Sequence, residues 1–393
     1  MLLSSWLKKP PEQAHRFSSP PKNNKLMSSF PSQPPVRPVQ LAIAGLSSYV
    51  AEPTPIAEWA ASFQVPDRKD PSKFLDGPMV EKVLGVRSKS WAPEVFQNQE
   101  VVTQVAREAL ANAQISARQV DAVLVVTCSP YQVLLDQDAF YFLKSLQIPD
   151  SVVPIQLGAG CAGMARAMQL ATQLSAENIL IVAYSLSSLY TQTSLYKQNP
   201  VHPLGRSLWM SSALFSDGAS AVLLRKTGYR GGLAFYSRDS LAFGTEGGFD
   251  DPLIHYMGGG ALNPPGQAKS EELSCFGMAG DRVKEYYMKG MMLNHQTLLQ
   301  NRPDYLTAVQ KIYTHQASPV LTNGFLNHLI ESCAIPRSKF GVNVETYGNL
   351  VSTSTVKLLH DDMASGLVQT GDEICISVVG AGPERGAFIT RLA

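Results

Sequence analysis

Short apolar runs bounded by polar or turn-forming residues recur along the chain, and a stretch of helical period separates several of them. DAVLVVT (Asp121–Thr127), VVPIQL (Val152–Leu157) and NILIVAY (Asn178–Tyr184) have the length and β-branched content of strands covered on both faces. Between the second and third lies AGMARAMQLATQL (Ala162–Leu174), whose apolar residues return at helical spacing, so strand, helix and strand form a βαβ unit. ALFSDGASAVLL (Ala213–Leu224) reads as two strands around a tight SDG turn.

The second part of the chain repeats this order without obvious identity. Strands are predicted at Lys311–Thr314, Gly341–Glu345, Glu373–Val379 and Gly386–Leu392, with a helix near Ser352–Ala364. The recurrence predicts two similar α/β halves, residues 39–228 and 229–393. Residues 1–38 show no apolar period, are rich in Pro and Ser, and carry six basic residues against one acidic, which reads as a disordered tail. Two long Gly-, Pro- and polar-rich stretches, 185–211 and 238–272, are expected over the substrate entrance.

Composition narrows the field. With 393 residues, 45% of them hydrophobic and 17% charged, the chain has enough material for one large core or two fused ones. Its 33 Lys and Arg nearly balance 32 Asp and Glu, so no general field pulls it toward nucleic acid or an anionic membrane. No apolar run reaches the roughly 18 residues a membrane-spanning helix needs. Five scattered cysteines without a C-x-x-C pair indicate neither a disulfide framework nor a zinc site, and a reducing cytoplasm is the simplest setting. Glu246, Asp250 and Asp251 lack ligand spacing, so no metal or other cofactor is expected.

The clearest chemistry lies in LGAGCAGMARAMQLA, where a strand runs through small residues into a helix and Cys161 is the single reactive side chain of the turn. A cysteine at a helix N-terminus meets free N–H groups and the positive end of the dipole, which favour the thiolate. The same N–H groups suit the oxyanion formed when a thioester is attacked. The alternative is a small buried hydrophobe, the reading given to Cys128, Cys275, Cys333 and Cys375.

Five motifs together resemble the β-ketoacyl-ACP synthase III enzymes of the thiolase superfamily, in the family's order, from about Val39 to Ala393. They are GAGCAG around Cys161, FSDGASAVLL (Phe215–Leu224), THQAS (Thr314–Ser318), ETYGN (Glu345–Asn349) and VVGAGPERG near the C-terminus. The resemblance implies a thiolase-like α/β fold, with two pseudo-repeated halves in a five-layered αβαβα arrangement. It implies Cys161 as the acylated nucleophile, with His315 and Asn349 as the pair that binds the thioester oxygen of the second substrate. The backbone N–H groups of Cys161 and Ala381 match its oxyanion hole. His and Asn side chains both donate hydrogen bonds, as an enolate oxygen requires. Outside this context His315 reads as a surface histidine after a strand, Asn349 as a turn residue, and Asp217 of FSDG as a turn former.

The partner side departs from the family. Met79 and Val83 stand where a tryptophan and an arginine hold the nucleotide of coenzyme A, and Val320 stands where a basic carrier-protein contact lies. Trp209 replaces another expected arginine, with Arg206 three residues away to substitute for it. Leu134, in Cys128–Phe140, matches the dimer-interface residue that caps the neighbour's acyl pocket. Leu134, Arg206, Trp209 and Phe215 are thus the candidate substrate contacts. The expected partners are an acyl carrier protein or an acyl-CoA thioester and a second copy of the chain.

The activity so implied is a Claisen-type, decarboxylative condensation of an acyl-cysteine with a malonyl- or β-ketoacyl-thioester, in specialised-metabolite or fatty-acid-like biosynthesis. An alternative passes the acyl group to an alcohol or amine. Asn349 speaks against it, because activating a hydroxyl calls for Asp or Glu supporting His315 as a base.

Overall fold

The structure is a computed structural model that describes residues 34–67, 70, 72–191, 208–238, 253–256, 258–261, 263–269 and 276–393. Residues 1–33, Arg206 and much of the two long Gly- and Pro-rich stretches lie outside the described residues.

β1 (Arg37–Val39) and β2 (Leu41–Tyr49) are separated by Gln40 alone, yet they belong to different sheets. β3 (Pro53–Pro55) and β4 (Ser88–Ser90) form a small antiparallel pair. The first five-stranded sheet combines β2 with β5 (Ala122–Thr127), β6 (Pro154–Gly158), β7 (Asn178–Leu186) and β8 (Asp217–Lys226), in the order β2-β8-β7-β5-β6. β5 pairs parallel with both β6 and β7, as its βαβ connection requires, and is buried at every position.

The second sheet joins β1 to β9 (Gly232–Arg238), then β14 (Glu384–Arg391), β13 (Glu373–Gly380) and β12 (Lys311–Thr314). Its β12–β13 pair is parallel and the others antiparallel. β10 (Ile254–Tyr256) and β11 (Phe276–Met278) make a separate pair.

Helices Gly163–Ala171 and Ser354–Ala364 lie between the sheets. Their Met164, Met168, Val356 and Leu359 share one core with Ile43, Val126, Ile181 and Val222 of the first sheet and Ile376 and Phe388 of the second. Fully burying such a side chain contributes about 1.5–3 kcal/mol, so this layer fastens the two sheets together. Glu100–Asn112 and Gln137–Leu146 cover the outer face of the first sheet, and Gly280–Asn301 and Pro319–Cys333 that of the second. Helix, sheet, helix, sheet, helix is the five-layered order of a thiolase-like fold.

Three local expectations change. Arg37 and Pro38, placed at sequence level in the tail, pair with Ala234 and Leu233 at the edge of the second sheet, where a proline N–H is not missed. Ala213 and Leu214 are the end of a helix, Leu208–Leu214, and only Asp217 onward is strand. Gly341–Glu345 is not a strand. The Gln316 side chain accepts from the Asn343 N–H, and a one-turn helix follows at Val344–Tyr347.

Candidate active site

β6 delivers the chain to the turn holding Cys161 because Ala159 N–H donates to Thr127 O, 3.1 Å, continuing the β5–β6 ladder by one step. The helix starts at Gly163, and a side chain there would overlap Val126 Cγ1, so glycine lets the helix sit directly on β5. Ala162 is the cap, which puts Cys161 one residue before it. Cys161 is half-buried and its thiol is free.

Its electrostatics reverse the expectation of a ready thiolate. Burial pushes the Cys161 thiol well above the ordinary range, and the neighbouring Cys128 and Glu384 push it further, while its own backbone N–H lowers it only in part. A position one residue outside the helix gains little from the dipole, and desolvation outweighs it.

Cys128, read from sequence as a buried hydrophobe, is exposed and belongs to the site. A Cβ on Gly160 would stand 3.5 Å from its Sγ. Burial pushes this thiol up to about 11.

His315 follows β12 and is 3% exposed. Its N–H donates to Ser377 O, 3.0 Å, and its carbonyl accepts from Tyr287 Oη–H, 2.8 Å. The Tyr287 and His315 rings lie 6.1 Å apart, and the same Tyr287 is electrostatically coupled to Cys161. Burial holds the imidazole down to about 3, so it is neutral, with one N–H to donate. Nδ1 has no hydrogen-bond partner among the described residues.

Asn349 is fixed on both sides. Its backbone N–H donates to Leu214 O, 2.8 Å, and its carbonyl accepts from Ser216 N–H, 3.0 Å, beside Phe215. One amide N–H donates to Ala317 O, 3.0 Å, and Oδ1 accepts from Val351 N–H, 2.8 Å, which leaves the second Nδ2 hydrogen for a ligand. Val351 has a φ of 56°, unusual for a β-branched residue and worth about 1–3 kcal/mol of strain. Its Cγ1 lies 3.4 Å from the Cβ position of Gly160. Asn349 thus reaches the Cys161 turn through Val351 and the His315 strand exit through Ala317, which sets the three segments side by side.

Ala381 sits in the Gly380–Gly382 turn, its carbonyl accepting from Leu253 N–H, 2.6 Å. A Cβ on Gly380 would stand 3.0 Å from Ala162 N, so this turn packs on the start of the Cys161 helix. Phe215 is buried beside Asn349. Trp209 is buried among Ile56, Trp59, Val80 and Leu84, as part of a core cluster. Leu134 is 73% exposed, between exposed Val133 and Leu135.

Two features escaped the sequence reading. Asp217 is no simple turn former. It is fully buried, accepts from Ala92 N–H (3.0 Å) and Ser188 N–H (2.8 Å), and faces the equally buried Lys89. The Lys89 ammonium donates to Ser212 O and Phe215 O and lies over Trp91, 4.2 Å from the ring centroid, and Trp59, 5.2 Å. Desolvation pushes the ammonium down and the carboxyl up, and each ion resists the other's shift. The second feature is Glu384, a buried carboxylate across the hairpin from Gly380. The PERG segment held the only hint of it.

A family profile, the C-terminal part of 3-oxoacyl-[acyl-carrier-protein] synthase III, matches residues 306–392. The β-ketoacyl-[acyl-carrier-protein] synthase III of Lactobacillus helveticus is 24% identical over 315 residues, 78% of this chain and 88% of that protein. The 3-oxoacyl-[acyl-carrier-protein] synthase III of Aquifex aeolicus superposes with a TM-score of 0.67 at 20% identity, covering 89% of this chain and 99% of that one. Xanthomonas campestris OleA, solved with lauric acid and lauroyl-CoA bound, superposes with a TM-score of 0.70 at 16% identity, covering 89% and 98%. The ordered motifs, the C-terminal profile and the five-layered fold agree in likening the chain to the β-ketoacyl-ACP synthase III enzymes, and its fold is thiolase-like.

Proposed function

We propose that the protein is a ketosynthase in which Cys161 takes an acyl group from a thioester and condenses it with an enolate held by His315 and Asn349. The observation that supports this reading is the set of contacts that links the segments of these three residues, through Gly160–Val351, Tyr287 and Ala317. Cys161 Sγ attacks the donor carbonyl, and the N–H groups of Cys161 and Ala381 receive the oxyanion before the carrier thiol leaves. A malonyl thioester then places its carbonyl oxygen between the neutral His315 and the free Asn349 N–H. Loss of carbon dioxide leaves an enolate there, and its carbon attacks the acyl group and expels Cys161. A β-ketoacyl thioester results.

A carrier protein is the favoured donor, since exposed Met79 and half-buried Val83 offer neither a ring to stack on nor a cation for phosphate. A homodimer is favoured by β6, an edge strand bonded only to β5, together with exposed Val133, Leu134, Leu135, Phe140 and Val153. A reducing cytoplasm keeps the Cys161 thiol available.

Intact mass measurement after incubation with a panel of acyl thioesters tests the chemistry. The expected adduct is lost in Cys161→Ala and converts to a β-ketoacyl product with malonyl-carrier and release of carbon dioxide. No adduct with any donor would overturn the reading, and transfer to a hydroxyl without carbon dioxide would select an alcohol acceptor instead.

A further inference from the structure

The helix Gly280–Asn301 buries a mostly apolar face on the second sheet, yet two polar side chains belong to that face: Tyr287 is 2% exposed and Asn294 is 0% exposed. With Gly290 they stand at i, i+3 and i+7, spacings that share one side of a helix. The glycine sets how near that side lies to β13, because a Cβ on Gly290 would stand 2.9 Å from Val379 Cγ1. At this distance both polar side chains reach across the sheet's surface.

They do different things there. Asn294 Nδ2 donates to Ser377 Oγ (3.2 Å), Val378 O (3.0 Å) and Gly386 O (3.0 Å), which ties the helix to β13 and β14. Tyr287 reaches past the end of β12 instead, and its Oη–H donates to His315 O at 2.8 Å. On the other side of the same residue, His315 N–H donates to Ser377 O at 3.0 Å.

The imidazole lacks such a tie. His315 Nδ1 is sealed from solvent and has no hydrogen-bond partner among the described residues, so no bond at that atom fixes the rotation of the ring. Packing has to fix it. The Tyr287 ring lies 6.1 Å from the imidazole, centroid to centroid, with the planes tilted by 51°, within the range in which rings attract. Tyr287 thus holds His315 twice, by the carbonyl and by the ring. The direction of a donor matters because a hydrogen bond weakens steeply off its axis, and a donor aimed in advance costs no reorganisation as charge develops.

We propose that Tyr287 is a positioning residue for condensation, which sets the direction of the His315 ring toward the thioester oxygen of the second substrate. It acts through His315 and takes no part in proton transfer. The proposal rests on the roles of Cys161 and His315 read above.

The test uses the full-length protein with Tyr287→Phe and Tyr287→Leu. Each is acylated in a single turnover by the acyl thioester that labels the wild type best, and condensation is then followed at several concentrations of malonyl-carrier. Tyr287→Phe keeps the ring and loses the hydroxyl, so kcat for condensation is expected to fall about 5- to 10-fold, the worth of one hydrogen bond. KM should stay within about twofold, because the enolate forms only after binding. Tyr287→Leu, without the ring, should fall further, while acylation changes less than about threefold in both variants.

In a His315→Ala background no imidazole is left to aim, so Tyr287→Phe should alter condensation by less than about twofold, whereas a side chain that only seats the helix would slow both backgrounds alike. Where that background is too slow to read, the split between acylation and kcat decides. Acylation that falls as far as condensation, or a kcat for Tyr287→Phe within about twofold of wild type, overturns the role of Tyr287 and leaves the Cys161 chemistry standing. Failure of the wild type to form any adduct overturns both.

Discussion

Replacing Lys89 with methionine removes a buried amine that donates to two carbonyls and acts electrostatically on buried Asp217, and it keeps the side-chain volume. The ammonium is 0% exposed and holds two carbonyls, Ser212 O and Phe215 O, while Asp217, also at 0%, keeps its backbone donors Ala92 and Ser188. Leaving buried carbonyls without their donor costs about 1–3 kcal/mol per group, and Asp217 also loses a nearby charge that favours its ionised form. The apolar replacement does not offset this, since it brings the carbonyls no donor.

Urea unfolding followed by tryptophan fluorescence reads the change where it occurs, because Trp91 and Trp59 flank the ammonium. In a double-mutant cycle, Lys89→Met with Asp217→Asn should cost roughly 2 kcal/mol less than the sum of the single variants. The effect also reaches the site. Leu214 O and Ser216 N–H grip the Asn349 backbone, and the intervening Phe215 O is held by Lys89. Condensation should therefore fall further than Cys161 acylation. A loss below about 1 kcal/mol, or additivity within about 0.5 kcal/mol, would refute the reasoning.

Two further outcomes are expected. His315 is held down to about 3 against an unfolded value near 6.5, so the unfolded chain binds one proton more than the folded chain between these values, and its contribution to stability is lost as pH falls through that window. Wild type should lose up to about 1.4 kcal/mol per pH unit there relative to His315→Gln, read from urea midpoints. Equal slopes would count against a neutral buried ring. Leu134→Asp places a charge among the exposed apolar residues of the loop before Gln137–Leu146 and should weaken self-association at least about 100-fold in sedimentation equilibrium; an unchanged dimer would move the interface elsewhere.

Much of the fold was legible because its central strands are continuous apolar runs. Asp121–Thr127 and Asn178–Tyr184 fall on β5 and β7 within two residues, since a strand covered on both faces has no polar position to blur it. Gly341–Glu345 failed because a short alternating run is also compatible with a loop, and the Gln316 side chain that decides the matter is far away in sequence. The site was legible as residue types and not as electrostatics. GAGCAG pointed to Cys161, but whether a sulfur ionises depends on burial and on charges from other segments, here Cys128 and Glu384. Asp217 is similar: SDG has the composition of a turn, and nothing local reveals that it is buried within electrostatic reach of Lys89.

Gln40 alone separates β1 from β2, and the two strands leave it into different sheets. Thr390 Oγ–H donates to Leu41 O at 2.6 Å, and Ala393 N–H to Ile43 O at 2.8 Å, so β14 and its continuation sew the second sheet to the first near the same point. With the shared core between the sheets, this leaves no hinge about which the halves could swing apart. Access to the Cys161 turn therefore depends on side chains and connecting segments, on the nanosecond-to-microsecond scale of such motions, rather than on closing domains.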